Sequence, residues 1–301
     1  MHWTAVLAVL TGAAALATAA DQPRPLMTTD EALSLPQPAA DRRYSYGPDE
    51  LNFGELRVPD GAGPFPLVIV IHGGCWLAAY DLGYISGLAA ELTRSGFATW
   101  SIEYRRVGDP GGGWPGTFAD VARAADALRD LAEEHPLDLD RVLALGHSAG
   151  GHLALWLGGR PALDSTDELR GADPLRLRGV VSLAGITDLA GFASPDGCGS
   201  AVPGLLGGDP ADHPDRLART SPIAMPDSGI PEILVIGERD PIVPRSQADR
   251  YIAERPDTTV RLAEIEGAGH FELIDPSHGS WAAIHDAAVS LLSDGAEKET
   301  P

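Results

Sequence analysis

The sequence predicts an α/β fold: a mostly parallel central sheet with helices on both faces and an antiparallel hairpin at its N-terminal side. Two observations carry this expectation. From Leu67 onward, short apolar, β-branched runs alternate with amphipathic stretches of helical spacing, the rhythm of the strand–helix–strand units that build parallel sheets. The 301 residues, 44% of them hydrophobic, also supply enough apolar material for one large domain with tails.

The elements follow in order. "YSYG" from Tyr44 and "LNFGELRVP" from Leu51 read as the hairpin. "PLVIVIH", residues 66–72, is apolar almost throughout, as a strand buried on both faces should be. "LGYISGLAAELTRSGF", residues 82–97, has helical spacing and stops at Gly96, and "ATWSIEYR" is the next strand. "TFADVARAADALRDLAEEH", residues 117–135, reads as one helix capped by Thr117, with Pro136 beyond its end. "RVLALGHS" is a strand and "AGGHLALWLGG" the helix after it; "GVVSLAG", "EILVIGERD" and "VRLAEIEGAGH" complete the sheet before the closing helix in "GSWAAIHDAAVSLL". Residues 186–230 break the rhythm with Gly, Pro and Asp and read as a small lid-like insertion.

The domain is therefore placed at residues 44–293, with 21–43 as a Pro-containing linker and 294–301 as an acidic tail. Residues 1–20 read as a signal peptide: an apolar run from Thr4 to Leu16 precedes Ala17-Thr18-Ala19, although no Lys or Arg leads it. Export to a periplasm or the medium is the resulting expectation, with a cytoplasmic location as the alternative.

A formal net charge of -21 repels phosphate backbones and anionic lipid, so neither nucleic acid nor stable membrane association is expected. Two cysteines, Cys75 and Cys198, are too few for a disulfide framework and have no zinc spacing. A single bridge between them stays open in an oxidising compartment. With no H-E-x-x-H, phosphate-binding loop or dinucleotide fingerprint, no metal and no cofactor is expected. Oligomeric state is not legible.

The chemistry concentrates in four places. Gly146-His147-Ser148-Ala149-Gly150 fits G-x-S-x-G between a buried strand and a helix, where a strained turn can present Ser148 as a nucleophile. "HGGCW", residues 72–76, leaves the first long strand, so the amides of Gly74 and Cys75, joined by that of Ala149, can face a developing oxyanion. In the chain order that accompanies the serine motif, the acid falls on Asp240 and the base on His270, each beyond a strand end. Glu238, Glu272 and Asp275 are rivals for the acid; a turn or capping role suits Asp275 better. His147 and His152 flank the serine but read as packing or hydrogen-bonded residues, because the turn directs the hydroxyl away from them. Trp76 and Trp114 are candidate walls of the substrate pocket, with core packing as the other reading.

Over Tyr44 to Leu292 the chain resembles the α/β-hydrolase fold. Within it, "HGGCW", "EYRR", "GGGWPGTFADV", "GHSAGG" and "HFELIDP" look like the branch holding kynurenine formamidase-like enzymes and small-molecule carboxylesterases. The resemblance implies a cofactor-free Ser148–Asp240–His270 hydrolase that cleaves small-molecule esters or activated amides through an acyl-enzyme. An arylformamidase and a small peptidase share that machinery. A non-catalytic hydrolase-fold binding protein is the alternative from a different class.

Overall fold

Burial on both faces explains why the apolar runs form strands. In the computed structural model, which describes residues 24–255 and 260–293, eight strands make one sheet in the order β1-β2-β4-β3-β5-β6-β7-β8. They are β1 (Arg42–Ser45), β2 (Phe53–Arg57), β3 (Phe65–Ile71), β4 (Ala98–Ile102), β5 (Leu137–His147), β6 (Gly179–Leu183), β7 (Glu232–Gly237) and β8 (Val260–Ile265). The β1–β2 and β2–β4 pairings are antiparallel, and all others are parallel. This is the arrangement of an α/β-hydrolase fold. The expected signal peptide and acidic tail lie outside the described residues.

Side chains alternate across the strands with period two. Leu67, Ile69 and Ile71 of β3, with Val142 and Ala144 of β5, belong to one core layer; Val68, Val70, Leu143 and Leu145 belong to the other. The helices are α1 (Thr29–Leu33), α2 (Ser86–Arg94), α3 (Gly116–Asp126), α4 (Leu128–Glu134), α5 (Ala149–Gly159), α6 (Leu189–Phe192), α7 (Val202–Leu206), α8 (Pro214–Thr220), α9 (Ser246–Ala253) and α10 (Ser280–Leu292). Every residue of α5 is buried, which suits its apolar sequence.

Three expectations need correction. The described part of the expected linker, residues 24–43, is not plain: Thr28 and Glu31 form a capping box that starts α1, and Ala32 is buried. Helix 117–135 is interrupted at Ala127, and Thr117 lies inside α3, where its hydroxyl accepts from the Gly113 amide and donates to the Arg105 carbonyl. Helix 82–97 begins as a 3₁₀ turn, Leu82–Ile85, capped by Asp81.

The sheet order also positions the site. β4 lies on one side of β3 and β5 on the other, so the loops leaving β3 and β5 run apart and open a crevice at the carboxyl edge. The HGGCW loop and Ser148 flank that crevice.

One buried acid gives a stability prediction. Glu232, at the start of β7, is 5% exposed, and Tyr251 donates to its Oε2 at 2.8 Å. Burial raises its pKa from 4.5 to about 7, against the Tyr251 hydrogen bond. Between those values the folded state holds a proton that the unfolded chain has released, so stability falls as pH rises through that window, by roughly 3 kcal/mol in full. Glu232→Gln removes the titration, so its stability relative to wild type should rise between pH 5 and pH 8 in denaturant melts. An equal offset at both values would refute the assignment.

Candidate active site

The turn after β5 is shaped by close packing. A Cβ on Gly146 would strike the Gly150 carbonyl, and one on Gly150 would strike the carbonyls of Ile71 and His72, so both outer positions of the motif exclude side chains. Between them Ser148 is held at φ 56°, ψ -120°, a strained conformation for a residue with a Cβ. Its amide donates to the Leu183 carbonyl of β6 at 2.8 Å. Ala149 opens α5, and the first amides of a helix have no intrahelical acceptor.

Asp240 and His270 meet on the loops after β7 and β8. His270 Nδ1 lies 2.7 Å from Asp240 Oδ2, and both side chains are only 3% exposed. The other carboxylate oxygen accepts from the amides of Ile242 at 2.7 Å and Val243 at 2.9 Å. Burial pushes the Asp240 carboxyl up, but the hydrogen bond and charge of His270, helped by those amides, hold its pKa below the usual carboxylate range. Ser148, His270, Gly74 and Cys75 all border one small cavity of about 80 Å³.

Neither histidine beside the serine is paired with its hydroxyl. His147 Nε2 lies 3.0 Å from the His270 carbonyl, which can only accept, so Nε2 carries the proton. Nδ1 then accepts from the Tyr84 hydroxyl at 3.1 Å, and the Tyr84 oxygen accepts from the Gly73 amide at 2.6 Å. The result is a one-directional chain of hydrogen bonds from the HGGCW loop to the backbone of His270. Burial, with the charge of His270, lowers the His147 pKa to about 3, so the imidazole stays neutral and the chain keeps its direction. His152 spans the Trp76 indole N–H at 3.2 Å and the Thr220 carbonyl at 2.8 Å.

The HGGCW loop has its own buried support. Glu103 Oε1 lies 3.0 Å from His72 Nε2 and 3.1 Å from Arg106 Nη1, and its Oε2 accepts from the Leu82 amide. Tyr104 donates to the His72 carbonyl at 2.9 Å.

Residues 56–254 match the family model BD-FAE. The chain belongs to the BD-FAE family. This BD-FAE chain is 27% identical over 79% of its length to esterase LipQ of Mycobacterium tuberculosis and 29% identical over 78% to esterase LipC of the same organism. It spans 60% of the length of each of those relatives. Among solved structures it is similar to a truncated form of a carbohydrate esterase from gut microbiota, with a TM-score of 0.72 at 22% identity, covering 85% of this chain and 98% of that one. The last likeness concerns the fold alone.

The sequence leaves two readings open for Trp76 and Trp114, pocket wall or core packing, and neither residue borders the cavity. Trp76 is fully buried and edge-on to His152, because its indole N–H finds an acceptor inside the core. Trp114 lies under Arg216 and Arg219 at 5.4 and 4.7 Å, away from the cavity. The rival acids have other tasks. Glu238 accepts from the Gly267 amide, Asp275 accepts from Ser277, and Glu272 accepts from the amides of Met27 and Gly269. Sequence reasoning missed Tyr84, Glu103 and the N-terminal residues that border the cavity. The pattern Thr28-x-x-Glu31 would have flagged α1; nothing local marks Tyr84 as a partner of Gly73.

Cys75 and Cys198 form a disulfide across 123 residues, with their Cα atoms 5.1 Å apart. It ties the HGGCW loop of the BD-FAE domain to the 186–230 insertion, from which Cys198 borders the cavity. Cys198→Ser is expected to cost about 2–5 kcal/mol in stability and to lower turnover by freeing Cys75. Matching loss on treating wild type with dithiothreitol would check it; unchanged melting after verified reduction would count against it.

Proposed function

We propose that this chain is a serine carboxylesterase of small-molecule esters, acting through an acyl-enzyme. The observation that carries the reading is the strained Ser148 turn bordering the same cavity as His270, whose imidazole is paired with Asp240. The esterase names of LipQ and LipC support it. Ser148 Oγ attacks the ester carbonyl while His270 Nε2 takes its proton. Asp240 fixes the imidazole and stabilises its positive form. The amides of Gly74, Cys75 and Ala149 face the tetrahedral oxyanion. Collapse expels the alcohol, which takes the proton from His270. Water then gives a proton to His270 as it attacks the acyl carbon, and the acid leaves with Ser148 restored. Export is part of the proposal, supported by the apolar N-terminal run and by a disulfide of the kind that persists in oxidising compartments.

The test compares a short-chain aryl ester, N-formylkynurenine and a dipeptidyl amide, with a fluorophosphonate probe for Ser148. The ester should have the highest kcat/KM and Ser148 should be labelled. Faster turnover of the formamide would replace this reading with an arylformamidase, and an unlabelled serine in folded protein would favour a non-catalytic binding role.

A further inference from the structure

The cavity beside Ser148 is closed in part by the N-terminal segment. Thr29, Ala32 and Leu33 of α1 border it together with Ser148 and His270. Ala32 is 1% exposed and Leu33 is 42% exposed, so one residue forms inner wall and the next forms rim. The segment precedes residues 56–254, so the family match assigns it no role.

The strap is fastened to both sides of the crevice. α1 lies against the Leu82–Ile85 turn, which carries Tyr84, and the Phe271–Ile274 turn, which follows His270. Glu272 is the clasp: one carboxylate oxygen accepts from the Met27 amide at 2.6 Å, the other from the Gly269 amide at 3.0 Å. Arg239 adds a bond to the Arg24 carbonyl at 2.9 Å, and Arg57 one to the Pro38 carbonyl at 2.7 Å. Met27 and Leu35 pack on the same core layer as Val70. The space that remains, about 80 Å³, is well under the 300–1,000 Å³ of drug-sized ligand pockets.

We propose that this N-terminal strap is the specificity-determining wall of the site, with Ala32 and Leu33 limiting the acyl group beside Ser148 to a short chain and Glu272 holding the wall in register with His270. The proposal rests on the serine esterase reading above and deepens it. Each methylene added to a group seated in that cavity must either displace α1 or leave the cavity; the proposal seats the acyl chain there, so selectivity is expected on acyl length rather than on the alcohol.

The test measures kcat/KM on p-nitrophenyl acetate, butyrate and hexanoate, and on a series of acetates of different alcohols, with the full chain. Leu33→Ala should raise the hexanoate-to-acetate ratio about ten-fold, the scale of one methylene in a tight apolar pocket. Ala32→Leu should lower the butyrate-to-acetate ratio by a similar factor. Glu272→Ala should move the ratio in the direction of Leu33→Ala, whereas a merely structural role would lower all esters alike and leave the ratio unmoved. Should Ala32→Leu fail to fold, Leu33→Ala on the exposed rim decides the matter. Unchanged acyl ratios in folded variants, or a shift in alcohol preference instead, would overturn the strap. A wild type inactive on every ester would overturn the esterase reading beneath it.

Discussion

Ser148→Ala is expected to lower kcat on a short-chain aryl ester by a factor on the order of 10⁶, with folding intact, because the nucleophile acts as a unit with its base and cannot be replaced by water alone. The alanine keeps the Cβ, so the Gly146 and Gly150 contacts and the φ of 56° at the turn are undisturbed. His270→Ala should cost a comparable factor. The double variant should then be hardly worse than either single one, since removing the second partner of a broken pair takes nothing more away. The measurement is single-turnover kinetics, with thermal melting as the control for folding. Residual activity within ten-fold of wild type would move the chemistry away from the β5 turn.

What the sequence makes legible follows from how local each cause is. Strands β3 and β5 announce themselves because burial on both faces demands unbroken apolar runs, and the Ser148 turn does so because its glycines answer to atoms four residues away or one strand over. Asp240 and His270 could be placed because chain order and strand ends narrow the choice. The rest depends on partners far along the chain. Trp76 sits inward because His152 accepts its N–H, a pairing that residue types alone do not signal. Glu272, a rival for the acid in the sequence, is engaged by Met27, 245 residues away. α1 lies between in this respect: its capping box is local and readable, but its position over the cavity is set by contacts with both crevice walls.

Asp240→Asn is expected to lower kcat on the same ester about 10⁴-fold near neutral pH, for a reason the hydrogen bonds dictate. The amides of Ile242 and Val243 both donate to Oδ1, so an asparagine must place its carbonyl oxygen there to keep them satisfied. Its NH₂ then takes the place of Oδ2, 2.7 Å from His270 Nδ1. A donor at that point makes Nδ1 the acceptor and forces the imidazole proton onto Nε2. That tautomer presents a proton to Ser148 where the reaction needs a lone pair, and no carboxylate remains to stabilise the imidazolium. The loss should therefore appear in kcat more than in KM. Nitrogen-15 NMR should show His270 changing from the Nδ1–H to the Nε2–H form. A variant that keeps the Nδ1–H form, or loses less than ten-fold in kcat, would mean that Asp240 does not set the tautomer of the base.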